Sequence, residues 1–212
     1  MFKGVKINKH NPLLLASSSP RRKSILRQIG IPFVATRSRF KEPIYKNLSP
    51  EEEACKAALN KSRAVHEIRK KQWVLGADTI VVLNDVIFGK PKDPEDCRNT
   101  LNMLQGKAHN TITGFCILDY KGEIAHLESV VTKVKIKRLR GDEIENYIKT
   151  GEPFGKAGSY AIQGIGSFMI EYINGSYTNV VGLPVFEIIN ALVKCRAIDS
   201  FPLMEDEINY YP

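Results

Sequence analysis

Ser17-Ser18-Ser19-Pro20-Arg21-Arg22-Lys23 places three hydroxyls and three cations where a helix begins. Ser19 reads as an N-cap and Pro20 as the first helical residue, so the three cations fall in the first turn. That end carries the positive pole of the helix dipole and unsatisfied N–H groups, which favour acids. An anion in front would relieve the conflict, because hydroxyls, backbone N–H groups and guanidinium forks converging on one point suit a phosphate. The same chain shows the ordinary start at Ser49-Pro50-Glu51-Glu52-Glu53, where Ser49 and Glu52 have capping-box spacing. A basic surface turn is the plain alternative at the first site.

Three other residues stand where a core is expected. Trp73 to Leu83 reads WVLGADTIVVL, an apolar run interrupted by Asp78 and Thr79. A carboxylate there costs several kcal/mol unless it is paired or holds a cation. Asp78 is therefore a catalytic or metal-binding carboxylate, or else a cap on a neighbouring loop. Lys61 lies among Ala54, Ala58, Val65 and Ile68, the three-four spacing of a buried helix face. It either snorkels to water or carries its ammonium into a cleft. Lys90, between Gly89 and Pro91 at a strand end, adds a further cation.

These residues need a frame of mixed strands and helices. Leu13 to Ala16 reads as a buried strand, followed by a helix to about Gly30, a short strand near Phe33 and a long helix from Pro50 to about Lys70. Trp73 to Leu83 and Val86 to Phe88 are strands about the turn Asn84-Asp85. A helix opening at Asp93-Pro94 sets Cys97, Leu101 and Leu104 on one face and stops at Gly106. Strands from His109 to Leu118 and Ile124 to Lys137 meet at Lys121-Gly122. The second alternates Val130, Thr132, Val134 and Ile136 with Val131, Lys133, Lys135 and Lys137, a strand with one wet side. Short helices are expected at Asp142 to Lys149 and Val185 to Lys194, either side of a glycine-rich stretch from Gly151 to Gly166. The order implies an α/β fold with hairpins in its second half.

The 212 residues suit one domain, with its core at about 13–194 and an acidic tail at 197–212. With 31 basic and 23 acidic residues the chain carries +8, which favours polyanionic partners. No apolar run reaches membrane-spanning length and no signal-peptide segment opens the chain, so a cytoplasmic protein is expected. Cys55, Cys97, Cys116 and Cys195 lack paired spacing, which argues against a zinc knuckle or disulfide framework. Neither Gly89-Lys90 nor Gly155-Lys156 completes a Walker loop: Pro91 and Ala157 follow where that loop needs Ser or Thr. A dinucleotide G-x-G-x-x-G after a strand is also missing.

Four blocks in order, Ser17 to Arg22, Gly76-Ala77-Asp78-Thr79, Gly89-Lys90-Pro91 and GKAGSYAIQG from Gly155 to Gly164, resemble the Maf nucleotide pyrophosphatases. Asn174-Gly175-Ser176-Tyr177 and Val181-Gly182-Leu183-Pro184 fit the same pattern. The resemblance implies an α/β fold of the Maf/Ham1 (ITPase-like) type, an elongated mixed sheet with two lobes around a central cleft, and a possible homodimer. It also implies hydrolysis of dTTP and UTP to the monophosphate and pyrophosphate with a divalent metal, Mg²⁺ or Mn²⁺. By position, Asp78 looks like the general base, and Arg21, Thr79 and Gln163 like substrate-selecting residues. Ser17, Arg22, Glu42, Lys61, Lys90 and Lys156 are similar to residues lining the phosphate and metal site, with Asp78 and Glu42 toward the metal. The chain departs from the pattern at Arg39-Phe40-Lys41-Glu42, where the family carries an acidic cluster. The enzyme reading expects neither membrane nor nucleic acid as partner; the other class is a nucleotide- or DNA-binding regulator of division with little or no catalysis.

Overall fold

Both Ser-Pro dipeptides start helices as their chemistry requires. In the computed structural model, which describes residues 5–38, 40 and 47–203, Ser19 caps α1 (Pro20–Gln28) after strand β1 (Leu13–Leu15). Strand β2 (Phe33–Ala35) follows, then α2 (Pro50–His66), which opens on a complete capping box between Ser49 and Glu52. Three glutamates fill the first turn of α2, whereas α1 has no acid there. The chain continues through β3 (Val74–Leu83), β4 (Val86–Phe88), α3 (Pro94–Leu104), β5 (Ala108–Leu118), β6 (Ile124–Ile136) and α4 (Gly141–Lys149). Two 3₁₀ turns, Ala157–Ser159 and Ile165–Met169, lead to β7 (Ile170–Asn174), α5 (Tyr177–Val181) and α6 (Val185–Lys194).

The strands form one mixed sheet in the order β2-β1-β3-β5-β6-β7, with β4 also on β3. β2, β1 and β3 run parallel; the other pairs are antiparallel, as the hairpins foresaw. On one edge β3 pairs with β1 at Val74 and Leu75, then with β4 from Val81 onward. Gly76 to Ile80 fall between these partners. That gap in the sheet edge exposes Asp78 and Thr79 even though β3 is otherwise a buried central strand. The other edge is paired with β5 from Val74 to Val82, so the gap lies on one side only.

One face of the sheet packs on α2, with Leu14, Ala58, Val65, Val74 and Cys116 in contact, and Ala54, Ile80 and Ile112 farther along. On the opposite face two cores form. The first joins Leu13, Leu15, Leu75 and Phe115 to α1 and α6; the second joins Val81, Phe88 and Val134 to α3 and α4. The gap in β3 sits between them. Two glycines let α2 approach the sheet there. A Cβ on Gly114, which is paired with Asp78, would overlap the backbone at Ala54 and Cys55, and one on Gly76 would meet the Ala58 carbonyl. Gly114→Ala is expected to destabilise the fold by about 1 to 3 kcal/mol, the usual cost of overpacking. It should also weaken activity per folded molecule by shifting Lys61; thermal melting and a specific-activity assay check both effects.

The structure moves two boundaries and adds two short elements. Ile68, expected on the buried face of α2, is 61% exposed, because the helix ends at His66 and its period no longer governs position 68. The core extends beyond 13–194 at both ends: Ile7 bonds to the Ala197 carbonyl, and Ala197, Ile198 and Leu203 are buried in the first core. The segment containing Asn174-Gly175-Ser176-Tyr177 yields β7 and α5, elements too short to leave a hydrophobic period. No helix among the described residues is long and apolar enough to cross a membrane.

Candidate active site

Asp78 and Thr79 are adjacent on β3, so their side chains leave opposite faces of the sheet. Both nevertheless line one cleft of about 390 Å³, because the cleft straddles the open edge of the strand. Its lining includes Ser17, Ser18 and Ser19 from the β1–α1 turn, Lys90, and both Gly155 to Ala157 and Tyr160 to Gln163. The volume lies within the range of ligand pockets. Ser17, Arg21, Arg22, Lys61, Asp78, Thr79, Lys90, Lys156 and Gln163 all line it. Residues that no single block of sequence connects are therefore brought together. Glu42 lies outside the described residues.

On the α2 side, Lys61 Nζ stands 2.5 Å from Asp78 Oδ1, with both side chains about 15% exposed. The two sequence puzzles answer each other: the carboxylate in the apolar run is paired with the lysine on the apolar helix face. The pair satisfies the cost of partial burial and fixes the carboxylate's position.

On the other side, neighbouring arginines separate. Arg22 is buried, and its guanidinium donates to the Gly182 carbonyl at 2.7 Å, the Ala77 carbonyl at 2.8 Å, Thr79 Oγ1 at 3.0 Å and Ser17 Oγ at 3.3 Å. The Ala77 contact has a topological origin. The Leu75 carbonyl accepts from the amide of Ala16, the residue after β1, and strand period two directs the Ala77 carbonyl to the same edge, past the end of β1. Arg22 takes the place of the missing strand. Thr79 Oγ1 also lies 2.9 Å from Thr113 Oγ1, which donates to the Asn179 carbonyl. The hydroxyl of Thr79 is thus held from both sides before any ligand arrives.

Arg21 forms no ion pair among the described residues, and burial draws its guanidinium below the ordinary arginine range. Lys156 is likewise lowered, first by burial and then by the charge of Arg21. Burial and the nearby charge of Arg21 both disfavour the Lys156 cation, an environment that favours an anion between the two side chains. Counting charged side chains around the cleft gives Arg21, Arg22, Arg37, Lys61, Lys90 and Lys156 against the single carboxylate of Asp78, among the described residues.

Several lining residues escaped the sequence reading. Arg37 comes from a polar stretch with no pattern. Tyr160, fully packed, bonds to His109 Nε2 at 2.8 Å and Thr111 Oγ1 at 3.3 Å, while burial pushes His109 down to about 4 and keeps it neutral. The alternation of β5 could have flagged His109 and Thr111, which occupy inward positions among apolar residues. The four cysteines are unpaired, with Cys97 and Cys116 buried as packing residues.

Residues 12–195 match the family described as Maf-like protein. The chain is 46% identical over 183 residues to the dTTP/UTP pyrophosphatase of Ruminiclostridium cellulolyticum, covering 86% of this chain and 95% of that one. It is 45% identical over 184 residues to the protein of that name from Citrifermentans bemidjiense, covering 87% and 95%. With that of Syntrophotalea carbinolica the identity is 43% over 192 residues, covering 89% and 87%.

Proposed function

The chain belongs to the Maf-like family, and from that premise we propose that it is a pyrophosphatase that hydrolyses dTTP and UTP to the monophosphate and pyrophosphate. The observation that carries the reading is one carboxylate, ion-paired and fixed, inside a ring of cations. A protein that only bound a nucleotide or DNA would need the cations alone; an acid facing a polyanion opposes binding unless it performs chemistry.

The residues divide the work. Arg21, Lys90 and Lys156 neutralise the triphosphate, and the amides and hydroxyls at the start of α1 add donors. Asp78 orients a water toward the α-phosphorus and accepts its proton as the new P–O bond forms. The bond from the α-phosphorus to its bridging oxygen then breaks, and pyrophosphate leaves among the cations. Lys61 holds Asp78 in place. Gln163 and Thr79 sit at the base end; a glutamine amide offers a donor and an acceptor side by side, matching N3–H and a carbonyl of thymine or uracil.

A divalent ion fits the donors at hand in one manner. Among the described residues no three His, Cys, Asp or Glu side chains cluster, so Asp78, with Glu42 as a further candidate, would share the ion with phosphate oxygens and water, as Mg²⁺ commonly is. When bound it would supply charge neutralisation on the phosphates.

The test is a panel of dTTP, UTP, CTP, GTP, ITP and 7-methyl-GTP with magnesium or manganese, scoring pyrophosphate and orthophosphate separately. Pyrophosphate from dTTP and UTP is the expected product, with CTP poorer. A purine turned over more than about tenfold faster, roughly 1.4 kcal/mol in transition-state binding, would overturn the pyrimidine assignment. Orthophosphate released from the γ position would overturn the chemistry.

A further inference from the structure

Between Gly151 and Gly166 the chain has little regular structure, and Gly155, Gly158 and Gly164 all take positive φ. Such a segment loses much freedom when a ligand orders it. Here it is tied down at one point. Glu152 takes the amide of Ile165 on Oε1 at 3.0 Å and the amide of Gly166 on Oε2 at 2.7 Å. Its backbone carbonyl accepts from Lys156 Nζ, and its own amide donates to Thr150 Oγ1 at the end of α4. The buried Tyr147 hydroxyl accepts from the Ala161 amide at 3.1 Å, and the neighbouring Glu152 carboxylate adds to the burial that pushes the phenol pKa up. Only Ile162, Gln163 and Gly164 lie between these anchors. Gly164 takes φ +80°, where a side chain is strained, and a Cβ built there would push the Glu152 carboxylate from its place.

We propose that Glu152 is a specificity-determining positioning residue: its carboxylate, backed by Tyr147, latches the turn that carries Gln163, so the base-reading amide is pre-ordered in the cleft. The inference rests on the reading of Gln163 as a base contact. A rival role is electrostatic, because the Glu152 charge also acts on Arg21 and Lys156. The two roles differ in sign: deleting a charge that merely tempers the cations would strengthen the binding of every phosphate ligand. Losing the latch instead weakens only ligands that carry a base.

The test uses the full chain and the variants Glu152→Ala, Glu152→Gln and Gly164→Ala. It measures kcat and KM for dTTP, UTP and CTP, and the affinity for pyrophosphate, which has no base. Glu152→Ala should raise KM for dTTP and UTP by at least about tenfold and erode their preference over CTP. The kcat should stay within about threefold of the unaltered protein. Pyrophosphate should bind as tightly as before or more tightly. Glu152→Gln, which keeps one acceptor oxygen, should fall between, and Gly164→Ala should resemble Glu152→Ala. An unchanged dTTP-to-CTP preference, or equal weakening of dTTP and pyrophosphate, overturns the latch while the enzyme reading stands. If Glu152→Ala fails to fold, an unchanged preference in Glu152→Gln overturns it equally. If the unaltered protein releases no pyrophosphate from any nucleotide, the enzyme reading fails and the latch with it.

Discussion

Asp78→Asn should lower turnover by about 10²- to 10⁴-fold, the usual worth of general-base catalysis, while the protein still folds and binds nucleotide. The amide keeps the shape of the carboxylate, and its oxygen can still accept from Lys61, which stands 2.5 Å from Oδ1 in the unaltered protein. It can neither accept the proton of the attacking water nor hold a divalent ion well. Because the acid lies among cations, its removal should leave triphosphate affinity equal or slightly stronger. Single-turnover hydrolysis, nucleotide binding and thermal melting, measured in parallel, separate these effects. Near-normal hydrolysis by the variant would refute the assignment.

Adjacent arginines should give opposite outcomes. Arg22→Ala strips the buried Ala77 and Gly182 carbonyls of a charged donor, at about 1 to 3 kcal/mol for each buried acceptor left unmet. A loss of several kcal/mol is therefore expected in melting or denaturant titration. Arg22→Lys should not restore it, since one ammonium cannot reproduce a planar fork that spans β3, the β1–α1 turn and Gly182. Arg21→Ala, by contrast, should leave the melting temperature nearly unchanged and cut kcat/KM by about 10- to 150-fold, the worth of one charge-assisted contact with phosphate. An Arg21 variant that unfolds, yet keeps full activity per folded molecule, would mark that residue as structural.

Much of this was legible in the chain itself. The cationic helix start was visible because a local rule, acids at the N-terminus of a helix, is broken at Arg21 to Lys23 and obeyed at Glu51 to Glu53. Asp78 was visible because a carboxylate in an apolar strand needs a reason. The alternation of β6 and the apolar face of α3 placed their buried residues correctly, since one element and its solvent settle those patterns. Where an element ends was less legible: Ile68 kept the helical spacing but lies past the last turn of α2.

Sequence alone therefore determined which residue types are available for chemistry, and the periodic elements that carry them, because both depend on neighbours a few positions away. Tertiary structure decided their roles. Arg21 and Arg22 are identical to any local rule, but on a helix they point about 100° apart, and only the gap between β1 and β4 makes one a substitute strand and leaves the other facing the cleft. Lys61 and Asp78 became a pair because glycines at 76 and 114 let a helix come close to the sheet. Glu152 offered no signal beyond a charged residue before a proline; its part depends on amides thirteen and fourteen positions away. Contacts between distant segments are set by which surfaces meet, and no local pattern encodes that meeting.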